Sequence, residues 1–152
     1  ITSSGPWVNN RCLRGMPLFQ GMPASRLKLV ALMGERLQFE PGDILISPQE
    51  KLAGVYVIME GEVEILQPRE NGEERAFVKD TGSITGDVAL LSGKPFSVTI
   101  RAKSQVLALR IPKDLFFELL HTVPEFSLAV CRDLADRVHR LASVLLHEHE
   151  TV

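Results

Sequence analysis

The sequence predicts a mainly β domain, an antiparallel sandwich or jelly-roll barrel with one helix before it and two after it. Three observations carry this expectation. Between about residues 36 and 111, short β-like runs alternate with turn residues. Helical periodicity is confined to the two flanks. Strands nowhere alternate with helices, as a parallel α/β sheet would require.

Residues 1–16 are rich in Gly, Asn and Ser and read as a linker or arm, with Trp7 placed to pack on the domain or on a partner. Pro23 then supplies a helix start; Leu27, Val30, Ala31 and Leu32 recur at helical spacing, and Gly34 ends the helix. RLQFE and ILI, joined through Pro41-Gly42-Asp43, read as a first strand pair. VYVIM and EVEILQ, joined at Glu60-Gly61, read as a tight hairpin. Asn71-Gly72 signals a two-residue hairpin loop, because both residues tolerate positive φ. AFVK, SVTIRA and QVLALRI complete the β set. After Pro112, KDLFFELLHTV forms a short amphipathic helix, and Pro124 separates it from a longer one. In the last segment Val130, Leu134, Val138, Leu141 and Leu145 follow spacings of four, four, three and four. They mark one apolar stripe about 22 Å long at ~1.5 Å per residue.

At 152 residues the chain has the length of one domain with a sizeable core. Its net charge of −2, with no long Lys/Arg run, gives no basic face for nucleic acid or an anionic membrane. No apolar run approaches the ~20 residues of a membrane span, and the N-terminus lacks a signal pattern. Cys12 and Cys131 lie far apart in no metal-ligand pattern, which points to a reducing, cytoplasmic compartment. The chain begins at Ile1 rather than Met, as a segment cut from a longer polypeptide or a processed chain would. The parent of such a segment can be membrane-attached even though this segment has no span.

One stretch carries chemistry. In GDVALLSGKPFSV, Gly86 to Val98, a Gly-Asp pair opens a short apolar turn, a Ser-Gly-Lys-Pro loop follows, and a β-like run resumes. Such a loop can hold an anion against backbone N–H groups. Where a cation would complete it stands Phe96.

Taken in order, PLFQGM, FEPGDILI, VYVIMEGEVEIL, TGSITGDVALLSGKP followed by SVTIRA, PKDLFFELLHTVPEF and a long last helix resemble the cyclic nucleotide-binding domain family. The family includes catabolite activator-like regulators, protein kinase regulatory subunits and the cytosolic ends of some channels and transporters. The resemblance covers roughly residues 17–146 and implies an eight-stranded β-roll (a jelly roll, or double-stranded β-helix) flanked by an N-terminal helix and two C-terminal helices. The implied layout is an arm over 1–16, the domain over 17–148 and a tail over 149–152.

By the same resemblance, Gly86–Val98 is a phosphate-binding cassette. Gly86 matches the family glycine, and Asp87 replaces a glutamate that accepts a ribose hydroxyl. Val88, Ala89, Leu90 and Leu91 form the short helix; Gly93 and Pro95 match the loop. Phe96 stands where an arginine pairs with the cyclic phosphate, and Ser97 and Val98 follow. Shortening Glu to Asp keeps the carboxylate. Replacing Arg by Phe removes a fixed charge and five donors, and hydrogen bonds to charged groups are worth about 1.5–3 kcal/mol each. This argues against ordinary cAMP or cGMP binding and leaves another small anionic ligand, or none, open. Lys94, two residues before Phe96, would share its side of a strand and offers a partial rescue; Arg101 has the opposite parity.

The readings are therefore a regulatory ligand-sensing domain coupled to an attached effector, a vestigial module kept for dimerisation or protein interaction, and the sensor half of a transcription regulator without its helix-turn-helix. A homodimer through Val130, Leu134, Val138, Leu141 and Leu145 is expected, because the stripe outruns what the roll needs. No cofactor is expected. The sequence contains no nucleophile elbow, P-loop or metal triad, so an enzyme is not expected. His147, Glu148, His149 and Glu150 read as a solvated helix end rather than a metal site, His121 and His139 as ordinary helical residues, and Cys131 as a small core residue.

Overall fold

The computed structural model describes residues 10–68, 74–79 and 81–150. A short helix α1 (Asn10–Arg14), a 3-10 turn (Pro17–Phe19) and helix α2 (Ala24–Met33) precede eight strands among the described residues. These are β1 (Glu35–Phe39), β2 (Ile44–Ile46), β3 (Gly54–Glu60), β4 (Val63–Pro68), β5 (Glu74–Lys79), β6 (Ile84–Thr85), β7 (Thr99–Ala102) and β8 (Val106–Pro112). Helix α3 (Asp87–Ser92) sits between β6 and β7, and α4 (Lys113–Thr122) and α5 (Pro124–Glu150) close the chain.

The strands form two antiparallel four-stranded sheets, in the orders β1-β8-β3-β6 and β2-β7-β4-β5. This is the jelly-roll arrangement the sequence predicts, but two expected pairings are not made. β1 pairs with β8 and β2 with β7, so RLQFE and ILI lie in different sheets. Likewise β3 pairs with β6 and β8, and β4 with β5 and β7, so VYVIM and EVEILQ form no hairpin. The turns at Gly42 and Gly61, both with φ of 92°, carry the chain from one sheet to the other. Local turn chemistry reads the same whether the chain folds back or crosses over, so the sequence could not separate the two. β4 and β5 do pair as Asn71-Gly72 suggests, while that loop itself lies outside the described residues.

Alternation along each strand divides the apolar residues into two cores. Val55, Val57, Leu109 and Ile111 face outward from the first sheet and are covered by α1, α2, α4 and the start of α5. Phe116 and Phe126 meet edge-on at 6.0 Å in this layer, and Phe19 stacks on Phe126. Leu37, Ile58, Ile100 and Ala108 point inward and fill the roll. The arm expected over 1–16 contains α1, whose Leu13 is completely buried. Leu32, expected on the packed face of α2, is 73% exposed, because Leu27 and Val30 already turn the other side of the helix to the core.

Helix α5 has two different halves. Phe126 and Val130 are buried on the domain and Leu134 packs against it. Beyond Arg137 most of the apolar residues are bare, Val138 at 65% and Leu145 at 62% exposure, with Val144 partly covered. The five-residue stripe expected as one seam is therefore split: Val130 and Leu134 serve the domain's own core, and only Val138, Leu141 and Leu145 are available to a partner. Cys131 is exposed rather than a core residue. Trp7 lies outside the described residues.

Candidate functional site

β6 delivers the cassette. Thr85 and Ile84 pair with Tyr56 and Val57, and the next residue, Gly86, adopts φ of 91°, turning the chain from strand to helix in one step. A Cβ at Gly86 would stand 3.2 Å from Leu52 Cδ1, so the turn is packed from below as well. Asp87, the first residue of α3, has 0% exposure.

A buried carboxylate requires a partner, and α5 supplies it. Arg137 Nη2 donates to Asp87 Oδ2. The same Nη2 lies 2.8 Å from Asp133 Oδ2, one helical turn earlier. Burial opposes the Arg137 charge, but the hydrogen bond and charge of Asp87, joined by those of Asp133, outweigh it and hold the guanidinium above its ordinary pKa. Lys79, at the end of β5, donates Nζ to Ile84 O at 2.7 Å and so ties the edge of one sheet to the edge of the other. Desolvation, then the Arg137 charge, pull the Lys79 ammonium down to a pKa of about 8, against the opposing pull of Asp87 and Asp133.

Three polar atoms in this cluster are buried without a hydrogen-bond partner among the described residues: Asp133 Oδ2, which still has the Arg137 guanidinium 2.8 Å away, and, facing no such charge, Asp87 Oδ1, an acceptor, and Arg137 Nε, a donor. Leaving such a group open costs about 1–3 kcal/mol. A hydroxyl both donates and accepts, so it matches what these atoms lack.

The rest of the cassette separates into exposed and packed residues. Val88, Lys94, Pro95 and Ser97 are exposed, whereas Ala89, Phe96 and Val98 pack against the inner core. Residues 94–97 are not strand, so the alternation expected to place Lys94 beside Phe96 does not operate there. The Phe96 ring lies on the apolar interior, and its carbonyl accepts the Gln49 N–H at 2.7 Å. Arg101 faces away from the interior, as its parity predicts, and its Nη2 bonds Glu64 at 2.9 Å across the β4–β7 pair. Arg101 is thus committed to Glu64, and Lys94 is exposed.

The sequence reading missed Arg137, Asp133 and Lys79. The Asp133–Arg137 spacing of four was visible, but it reads as an ordinary surface pair. A polar row on the inner face of the first sheet, running from the exposed Glu35 to the buried Thr85, was missed too. Glu35, Arg110, Tyr56 and Thr85 stand opposite one another across β1, β8, β3 and β6, on the same face as Leu37, Ala108 and Ile58. Arg110 Nη2 bonds Glu35 at 2.6 Å and Nη1 reaches the Tyr56 hydroxyl at 3.4 Å. Among the described residues no group of three or more His, Cys, Asp or Glu is arranged to hold a metal ion. The side chains of His147, Glu148, His149 and Glu150 lie outside that description.

A β-roll with a glycine-headed cassette and a buried carboxylate defines a ligand-sensing class of domain, and comparison with known proteins places the chain within it. The family model for the cyclic nucleotide-binding domain matches residues 36–123, and the chain belongs to that family. A cAMP-dependent protein kinase regulatory subunit from Blastocladiella emersonii is 34% identical over 110 residues, covering 71% of this chain and 27% of that protein. The Thermus thermophilus catabolite activator protein superposes with a TM-score of 0.74 at 21% identity, covering 88% of this chain and 63% of the other. A cAMP-binding acyltransferase from Mycobacterium smegmatis gives a TM-score of 0.71 at 26% identity, covering 88% and 41%. The chain spans about a quarter or less of the curated relatives first matched. The family match ends at residue 123, so α5 and Arg137 lie beyond it.

No described helix is long and apolar enough to cross a membrane.

Proposed function

We propose that this chain is the regulatory ligand-sensing unit of a larger cytoplasmic or membrane-attached protein, and that ligand in the Gly86–Val98 cassette is read out through α5. The observation that carries this reading is Asp87: wholly buried, held by Arg137 through one oxygen and open at the other. The ligand is a hydroxyl-bearing small molecule, a cyclic nucleotide or another small anion. Asp87 accepts its hydroxyl, Gly86 and Ala89 shape the turn, Val88, Pro95, Ser97 and Val98 border the site, and Phe96 presents an apolar wall in place of the phosphate cation. Because Arg137 connects the cassette to α5, a ligand that reorganises this pair biases the helix and whatever is attached beyond it. The role is regulatory, as in the family, with any catalysis belonging to the attached effector.

A second reading has its own observation. The bare distal half of α5 suits pairing with a second copy, and an apolar Phe96 suits a roll kept for assembly rather than for ligand. Thermal denaturation with millimolar cAMP, cGMP and a wider nucleotide panel separates the two, since a ligand that binds only the folded state raises the midpoint. A rise with any of them, lost in Asp87→Asn, supports sensing. No rise with any member transfers the function to assembly.

A further inference from the structure

The inner face of the first sheet carries a cation at the same end of the roll as the cassette. Thr85 immediately precedes Gly86 and pairs with Tyr56, and Tyr56 pairs with Arg110. Arg110 therefore stands two strand spacings, about 10 Å, from the residue that leads into the cassette. A Cβ at Gly86 would lie 3.5 Å from Gly54 O, so the cassette turn sits at the start of β3, two residues from Tyr56. Phe96 packs against the inner cluster to which Tyr56 belongs.

Together, Arg110 and Tyr56 have the donors an oxyanion needs. Among the described residues Arg110 spends two of its five N–H donors, Nη2 on Glu35 at 2.6 Å and Nη1 on the Tyr56 hydroxyl at 3.4 Å. Because that hydroxyl accepts from Arg110, its own proton remains to be donated. Tyr56 is 4% exposed, and its ring centre lies 5.9 Å from the guanidinium carbon, a cation–π contact that helps to hold the fork in place. Glu35 is the replaceable member of the group. Its side chain is 54% exposed against 28% for Arg110, and a pair with so exposed a carboxylate is held weakly. An incoming carboxylate or phosphate fits the planar fork as Glu35 does, while Glu35 returns to water.

We propose that Arg110 and Tyr56 form an oxyanion subsite on the inner face of the first sheet, where a carboxylate or phosphate group of the ligand replaces Glu35 on the guanidinium. The anionic end of the ligand is then met on β8 and β3, not at the position of Phe96. The Asp87 carboxylate repels an anion and takes the hydroxyl, so charge sorts the two ends of one molecule. The inference rests on the sensing reading for the hydroxyl end alone; the subsite needs nothing from Asp87.

Inorganic phosphate and acetate are the probes, titrated separately into the whole chain at constant ionic strength, with sodium chloride as the control. Heteronuclear NMR follows the Arg110 Nε–H signal. At least one of the two anions should move that signal to a plateau, and chloride should not. Glu35→Gln, on an exposed side chain, should tighten the saturating anion roughly two- to fivefold by freeing the fork. Tyr56→Phe keeps the ring, removes the O–H and should weaken the anion about tenfold. A saturating anion in a chain whose thermal midpoint ignores the nucleotide panel would strike the sensing reading and leave the subsite standing. No plateau with either anion, the same plateau with chloride, or an affinity left unchanged by Glu35→Gln or by Tyr56→Phe would overturn the proposal.

Discussion

Arg137 on α5 donates to the carboxylate of Asp87 at the head of α3, joining two residues fifty positions apart in the chain. Asp87 is completely buried and the Arg137 side chain is 16% exposed, so the pair sits inside the protein rather than on its surface. Removing one member of a buried pair leaves the other charge uncompensated, at a cost of about 3–5 kcal/mol. Arg137→Met should therefore lower the urea-unfolding free energy by roughly 3 kcal/mol. Adding Asp87→Leu should restore most of the loss. Losses that simply add would show the two residues to be uncoupled.

Lys79 gives the fold a pH signature. Its folded pKa of about 8 lies below the ordinary 10.5. The unfolded chain therefore binds the proton more tightly, and the group's unfavourable contribution is fully present below pH 8. That contribution is relieved as pH rises from about 8 towards 10.5. Across this window the difference in stability between the wild type and Lys79→Met should change by up to ~1.4 kcal/mol per pH unit. Denaturant titrations at several pH values check it, and a constant difference would contradict the burial of this ammonium.

Gly42 and Gly61 share φ of 92°, but a Cβ at Gly61 would lie 2.1 Å from Gln105 O while one at Gly42 meets nothing within 4 Å. Gly42→Ala should cost only the backbone strain, about 1 kcal/mol. Gly61→Ala must also displace the loop backbone at Gln105, just before β8, and should cost about 3 kcal/mol or more. Equal midpoint shifts for the two variants would show that the crossover from β3 to β4 is not tightly packed.

The sequence made the architecture legible because strand length, turn residues and the two flanking helices all pointed to a roll. It could not reveal which strand pairs with which, since RLQFE and ILI look like neighbours locally yet are paired with β8 and β7. The cassette was legible as a motif, with Gly86 and Asp87 in place and Phe96 at odds with it. What stayed hidden was its connection to the rest of the molecule. Arg137 looks like any charged residue on a long helix until the fold brings it against Asp87, and Cys131 looks like a core thiol until Phe126 and Val130 turn it outward.

In the proposed reading the Gly86–Val98 cassette is a ligand site in which Phe96 stands where a phosphate-pairing cation would. Phe96→Arg restores five donors and the fixed charge at that position. The most direct measurement is the thermal midpoint of this variant with and without cAMP. At a hundredfold excess over Kd a ligand adds about 2.7 kcal/mol, so the midpoint should rise by roughly 5–10 °C. A folded Phe96→Arg chain whose midpoint does not move with cAMP or cGMP would contradict a ligand site at this cassette.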